Sequence, residues 1–436
     1  MITAETTIFE SLESNVRGYC RAWPTVFTTA KGAWLRDEEG KDFLDFFAGA
    51  GSLNYGHNND VLKQPLLDYI ASDGITHGLD MSTAAKRKLL ETIRDVVLAP
   101  RGLDYKVQFP GPTGANSVEA ALKLARKVTG RQTILSFTNA FHGMSLGALS
   151  VTGNAAKRAG AGVPLVHAAH MPYDGYFDNT TADFQWMERV LDDTSSGFDR
   201  PAAVIVETVQ GEGGVNVARA EWLRHLADLC AEREILLIVD DVQMGCGRTG
   251  PFFSFEVAGI TPDIVTLSKS IGGYGLPLAL VLFKAELDQW SPGEHNGTFR
   301  GNNPAFVTAQ TALEHYWSDD TLQNSTRSKG LHVAQTLAEV AGHFPGLSTR
   351  GRGLVHGLAF EDPSQAGKVC QVAFERGLLV ETSGSSDEVV KLLPPLTITD
   401  DELDHGLQIL TGAIDTVCTG WGRLRQGVAT KAGERA

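Results

Sequence analysis

The stretch ILLIVDDVQMGCGRTG, Ile235–Gly250, drives five apolar residues into a pair of acids and then into glycines. A run of this kind is read as a buried strand that delivers its last residue to the edge of a sheet. A companion, Ile264-Val-Thr-Leu267, is β-branched and apolar, with Pro262 at its mouth and Lys269 just beyond its end. Working outward, Lys106-Val-Gln-Phe109, Gln132–Phe137 and Ala203–Glu207 are further strand-like runs. Helix-like segments such as Ser117–Val128 and Ala220–Arg233 separate them. Alternation of this kind between about Asp104 and Leu287 predicts a largely parallel sheet wrapped by helices, an α/β fold. Ligands bind beyond the carboxyl ends of such strands. Asp240 and Lys269 both stand there.

The rest of the composition narrows the classes open to the chain. Its 436 residues suffice for one large core and a smaller one, so two domains are expected. Hydrophobic residues make up 42% and charged residues 21%, an ordinary globular balance. The formal charge of −14 argues against nucleic acid, whose phosphates need a basic face. Five scattered cysteines, with no CxxC pair, fit reduced thiols better than a disulfide framework. The opening MITAETTIFESLESN carries Glu5, Glu10 and Glu13 where a signal peptide needs a basic start and an apolar run. No apolar stretch reaches membrane-spanning length, and a cytoplasmic protein is expected.

Four local features carry chemistry. In TLSKSIGGYGLPLALV, Thr266–Val281, the glycines Gly272, Gly273 and Gly275 let the backbone after Lys269 pass close to something. Lys269 is either a solvated loop lysine or a desolvated amine used as a nucleophile. Asp240 is a helix-capping or loop-anchoring acid, part of a metal pair with Asp241, or the counter-ion of a protonated ring. No nearby histidine or third carboxylate completes a metal site, so none is expected. In FPGPTGANSVEAALKLAR, Phe109–Arg126, a Gly/Pro/Thr loop runs into an amphipathic helix and offers amides to an anion, phosphate above all. It lacks the endings of a P-loop and of GxGxxG. In NAFHGMSLG, Phe141 and His142 follow a strand-like run, where an aromatic stacks on a flat ring or simply packs.

Taken together, a lysine amine, a buried aspartate, a phosphate-binding loop and a stacking aromatic are what pyridoxal 5'-phosphate requires. The chain resembles the class III (ω-amino acid type) aminotransferases of the fold-type I pyridoxal phosphate superfamily. The resemblance runs through KGAWLRDEEGKDFLDF, NYGHN, GPTGANSVEAALKLAR, FHG, ETVQGEGG, IVDDVQMGCGRTG, TLSKS, GTFRGN and VVKLLPPLTIT. It implies a large domain with a mostly parallel seven-stranded sheet between helices, and a small α+β domain built from both termini. The expected divisions are residues 1–60 and 330–436 for the small domain and 61–329 for the large one. It implies that Lys269 bonds the cofactor covalently and that Asp240 partners the pyridine nitrogen. Gly114 and Ala115, with Asn116 beside them, would hold the phosphate. Phe141 would stack on the ring, with His142 next to it, and Gln243 would approach the phenolic oxygen. Thr298 would reach the phosphate of a neighbouring subunit, which implies a homodimer or a tetramer built from it.

The stretches PTVFTTAKGA, FFAGAGSLNYGHN, GLDM and NGTFRGNN resemble in particular the branch of the family that makes L-2,4-diaminobutyrate for ectoine. That implies L-glutamate as amino donor and L-aspartate 4-semialdehyde as acceptor, with 2-oxoglutarate as the second product. Glu212 would line the substrate pocket, and Glu207 would support hydrogen bonds on the cofactor side. Relatives place an arginine before the Pro-Pro-Leu segment to grip glutamate's α-carboxylate; here Lys391 stands in that place, with Arg300 as the other candidate. Two alternatives stay open: a class III enzyme with another diamine or ω-amino acid donor, and a binding protein that kept the fold and lost the chemistry.

Overall fold

The computed structural model describes residues 6–177 and 183–433. Its centre is a seven-stranded sheet. The strands are β1 (Tyr105–Gln108), β2 (Ile134–Phe137), β3 (Ala168–Met171), β4 (Ala203–Val206), β5 (Leu236–Asp240), β6 (Ile264–Leu267) and β7 (Leu280–Lys284). Their order is β1-β7-β6-β5-β4-β2-β3. β7 runs antiparallel to both neighbours, and every other pair is parallel.

The predicted strands are all present, within two residues at each end. The reason is legible in burial: β2, β4 and β6 are buried at every position. Strands covered by helices on both faces read as continuous apolar runs rather than alternating ones. Helix α1 (Gly114–Thr129) starts three residues before the periodicity suggested, because the Thr113 side chain caps it by accepting from the Asn116 amide. Its buried face, Val118, Ala121, Leu122 and Ala125, packs on the sheet. Helix α2 (Ala220–Glu232) buries Trp222, Leu223, Leu226 and Leu229 in the same way on the other core cluster.

Two four-stranded sheets accompany this layer, besides a two-stranded ribbon of Val209–Gln210 and Asn216–Val217. Phe27–Lys31, Trp34–Asp37 and Asp42–Asp45 form an antiparallel meander, which Leu378–Leu379 joins in parallel. The other contains β8 (Leu347–Arg352), β9 (Val355–Phe360), β10 (Glu381–Ser383) and β11 (Val389–Leu392), in the order β8-β9-β11-β10 and antiparallel throughout. Because strands from the two ends of the chain share one sheet, we propose the division into a small domain (1–60 with 330–436) and a large one (61–329). All five cysteines are free thiols. Among the described residues no helix is long and apolar enough to cross a membrane.

Candidate active site

β5 and β6 are adjacent and parallel, with Asp240 directly beside Thr266. Both therefore empty at the same edge of the sheet. Beyond β6 the chain turns sharply, and Lys269 takes φ +53°, a left-handed conformation unusual for a residue with a side chain. Such strain costs about 1–3 kcal/mol and persists only where the surroundings enforce it. It aims the Lys269 amine at the Ala50 carbonyl, 2.8 Å away. Ala50 lies in a loop that is itself left-handed at Gly49 and Ala50. Burial lowers the pKa of this amine, with Glu212 pulling it up and Lys391 pushing it further down.

Asp240 is buried and its carboxylate is well furnished. Oδ2 lies 2.6 Å from Nδ1 of His142, and Oδ1 accepts from the Thr266 hydroxyl at 3.0 Å and the Val242 amide at 3.1 Å. Burial would lower the pKa of His142, but its contact with Asp240 outweighs this and raises it. Behind the pair sits Glu207, which accepts from the Phe141 amide at 2.9 Å. Burial pushes the Glu207 carboxyl up to about 8. Asp241 faces away: its carboxylate accepts from the Ser254 amide at 2.9 Å and from the Ser254 hydroxyl. Burial raises it to about 7. Successive strand residues point to opposite faces, so only one of the two acids can address a ligand at this edge.

The loop before α1 completes the floor. A Cβ at Gly114 would meet Val242 Cγ1 at 2.8 Å, and one at Gly143, where φ is +126°, would meet Ala115 Cβ at 2.9 Å. Only glycine lets these segments lie together. The amides of Gly114 and Ala115, first in the helix, have no intrahelical acceptor. The Asn116 amide is already taken by Thr113. Phe141 stands at the rim with the Lys157 ammonium 4.3 Å over its ring.

Gln243 donates to the Ala50 carbonyl at 3.0 Å and to Glu212 Oε1 at 3.2 Å. The same Glu212 oxygen is 2.6 Å from the ammonium of Lys391. Burial alone would raise Glu212, yet Lys391 and then Lys269 bring it down to about 2. Lys391 is itself fully buried and touches a second acid, Glu381, at 3.1 Å. Both acids raise its pKa against the effect of burial. Tyr19 belongs to the same cluster, its hydroxyl pKa raised by burial and then by Glu381 and Glu212.

Sequence reasoning passed over Glu381 and Tyr19. Glu381 had a signal: two apolar runs flank a Gly-Ser-Ser-Asp turn, and the resulting hairpin places Glu381 directly across from Lys391. Tyr19 had none, because its place depends on how the amino-terminal segment lies. Thr298 and Arg300 stand elsewhere in this chain. Arg300 pairs with Asp80 and donates to the His295 carbonyl at 3.1 Å. It lines a separate cavity of about 460 Å³ with Lys86, Lys106 and Trp290. Among the described residues, neither Thr298 nor Arg300 hydrogen-bonds or ion-pairs with Lys269, Asp240 or Lys391.

These features suit pyridoxal phosphate. A carboxylate offers about four lone-pair sites, and Asp240 spends three on protein, which leaves one for a ring N–H. The amine with lowered pKa, the free helix amides and the glycine-lined contact of α1 with Val242 and Gly143 supply the rest of a cradle.

The chain belongs to the class III aminotransferases, a pyridoxal phosphate-dependent family whose model matches residues 19–414. It is 89% identical to the diaminobutyrate–2-oxoglutarate transaminase of Nocardia farcinica, an alignment covering 100% of each chain. The protein of the same name from Streptomyces anulatus is 67% identical, covering 94% of this chain and 97% of its own. Among solved structures, an ornithine aminotransferase from Toxoplasma gondii with partial occupancy of PLP at its active site superposes with a TM-score of 0.82. It is 26% identical, and the match covers 95% of this chain and 93% of that one.

Proposed function

We propose that the chain moves the amino group of L-glutamate to L-aspartate 4-semialdehyde, giving L-2,4-diaminobutyrate and 2-oxoglutarate. The observation that carries this reading is the 89% identity, over the whole of both chains, to a relative named for that exchange. The site supports it. When bound, pyridoxal phosphate supplies an electron sink for the charge left when a proton departs the carbon bearing nitrogen.

The protein's own groups do the remaining work. Lys269 would bond the cofactor and serve as general acid and base for the proton at the reacting carbon. Asp240, braced by His142 and Thr266, would keep the ring nitrogen protonated. Gly114 and Ala115 would hold the phosphate at the positive end of α1. Phe141 would cover the ring, and Gln243 would serve its phenolic oxygen. Lys391 answers a problem of two substrates: glutamate brings a carboxylate to the reacting carbon, whereas the semialdehyde's reacting end has none. In our reading Lys391 takes that carboxylate when it is present, and Glu212 occupies Lys391 when it is absent.

Thr298 is exposed and lies away from Lys269, which fits a residue offered to the phosphate of a second copy. We read the working unit as a cytoplasmic homodimer in an ectoine-type pathway.

One spectroscopic experiment tests the whole reading. The purified protein with its cofactor should show the visible band of a lysine-bound pyridoxal phosphate. Glutamate should bleach that band, and the semialdehyde should restore it with release of diaminobutyrate. A band indifferent to glutamate means another donor, and no band means a fold without chemistry.

A further inference from the structure

The cluster around Lys391 holds more negative charge than its pairing role needs. Lys391 is 0% exposed, Glu381 is 8% exposed, and Glu212, at 20%, is the wettest of the three. Two carboxylates share one ammonium, so the trio already carries an excess negative charge. The donor would bring a third carboxylate into the cluster, taking Glu212's place on the ammonium while Glu212 stays close by. Like charges brought this close in a buried site repel one another strongly.

Resting on the reading of Lys391 as the seat of glutamate's α-carboxylate, we propose that Glu381 takes up a proton as the donor binds. Donor binding is then proton-coupled, while binding of the semialdehyde, whose reacting end brings no carboxylate, is not.

The geometry selects Glu381 over Glu212. Glu212 faces two cations, Lys391 and Lys269, and receives a hydrogen bond from Gln243, so it has every reason to stay ionised. It can also keep its Gln243 contact while yielding Lys391. The hairpin register holds the Glu381 backbone directly across from Lys391, so its carboxyl stays beside the ammonium. Its Oε1 is buried and lies 3.1 Å from the Lys391 ammonium. A protonated Glu381 turns an acceptor into a donor and relieves the excess charge in one step. The groups facing it come from five elements. They are Glu212 after β4, Lys391 on β11, Lys269 after β6, Tyr19 in the amino-terminal segment, and the Cys370 thiol on the helix Pro363–Glu375. Burial raises the Glu381 carboxyl, and Glu212 adds to this against the pull of Lys391.

Glutarate tests the proposal, because it has the donor's carboxylates and no amine to react. The protein with bound cofactor is titrated calorimetrically with glutarate at pH 7 and 8, in two buffers of different ionisation enthalpy. The wild type should take up more than about half a proton, and its affinity should fall by several-fold, at most tenfold, per pH unit. Glu381→Gln should take up none and bind with little pH dependence. Lys391→Ala should lose glutarate. Wild-type binding without proton uptake, or uptake that survives in Glu381→Gln, overturns the proposal and leaves the donor site standing. Undiminished binding to Lys391→Ala overturns the donor site and the proposal together.

Discussion

Replacing Lys391 with methionine keeps a long side chain and deletes its charge. The ammonium sits 2.6 Å from Glu212 and 3.1 Å from Glu381 with no exposed surface. Against the effect of burial, Lys391 first and Lys269 second bring Glu212 from 4.5 down to about 2. At about 1.4 kcal/mol for each tenfold change in proton affinity, that drop is worth roughly 3 kcal/mol. Lys269 supplies part of it, so about 2–3 kcal/mol belongs to Lys391. Stripping a buried pair of one partner costs a similar ~3–5 kcal/mol. The sign follows from the direction. Glu212 has a lowered pKa in the folded state, so its contribution is present above the ordinary carboxylate pKa and is lost as pH falls toward about 2. The Lys391→Met protein should therefore unfold in urea with about 2–3 kcal/mol less stability at pH 7. The gap should narrow at pH 5, where its stranded acids take up protons. Single-turnover kinetics supplies the second measurement. The glutamate half-reaction should slow by about 10- to 150-fold, the equivalent of a 1.5–3 kcal/mol charged hydrogen bond, and the diaminobutyrate half-reaction should change by less than about threefold. Equal losses in both half-reactions, or a stability gap that widens as pH falls, would refute the reasoning.

In Lys269→Ala, borohydride should no longer fix the cofactor to the protein and turnover should vanish, with circular dichroism unchanged; cofactor still trapped by mass spectrometry would mean a different lysine. Asp240→Asn should lose orders of magnitude in rate because a neutral partner no longer keeps the ring nitrogen protonated. Asp241→Asn should lose far less, since its carboxylate is spent on Ser254; the opposite ranking exchanges their roles. Glu207 is raised by burial to about 8, so its contribution to stability is full below its ordinary 4.5 and is lost as pH rises through 8. Glu207→Gln should accordingly flatten the stability profile between pH 5 and 8.5, measured by denaturant titration. Thr298→Ala should weaken cofactor retention, and sedimentation should show a dimer at every active concentration; an active monomer would remove Thr298 from the site.

How much of this was readable beforehand depended on whether a residue's place is set locally. β4, β5 and β6 were legible because a strand buried on both faces must be apolar along its length. Asp240 and Lys269 followed, since a charged residue closing such a run has to meet a partner. The preference for Asp240 over Asp241 rested on the apolar run it completes and on the family resemblance, and the two carboxylates do face different neighbours, His142 and Ser254. Other features were closed to sequence. Leu378–Leu379 joins a sheet more than 300 residues away in the chain, and a two-residue strand has no period to detect. The Ala50 carbonyl that receives both Lys269 and Gln243 is a backbone group, placed there by left-handed turns that alanine does not announce. Arg300 was a fair alternative by charge, yet in this chain its guanidinium is tied to Asp80 beside a different cavity.

The lysine at position 391 and the second acid beside it belong to one argument. A guanidinium fork can grip a substrate carboxylate with two parallel bonds and needs little outside help to keep its direction. An ammonium is a point charge on a flexible stem, so something else must fix where it points. Here that support is the hairpin: Glu381 and Lys391 are paired residues on β10 and β11, and the pairing holds the two charged groups together. Support from an acid brings a conflict, because the group that steadies the lysine also repels the carboxylate we propose it receives. A carboxyl that can change its protonation resolves the conflict, steadying the lysine as an anion and admitting the donor as a neutral acid. On that view the lysine, the buried glutamate and the short hairpin are a single device, and Lys391→Arg alone should bind the donor poorly until Glu381 is neutralised with it.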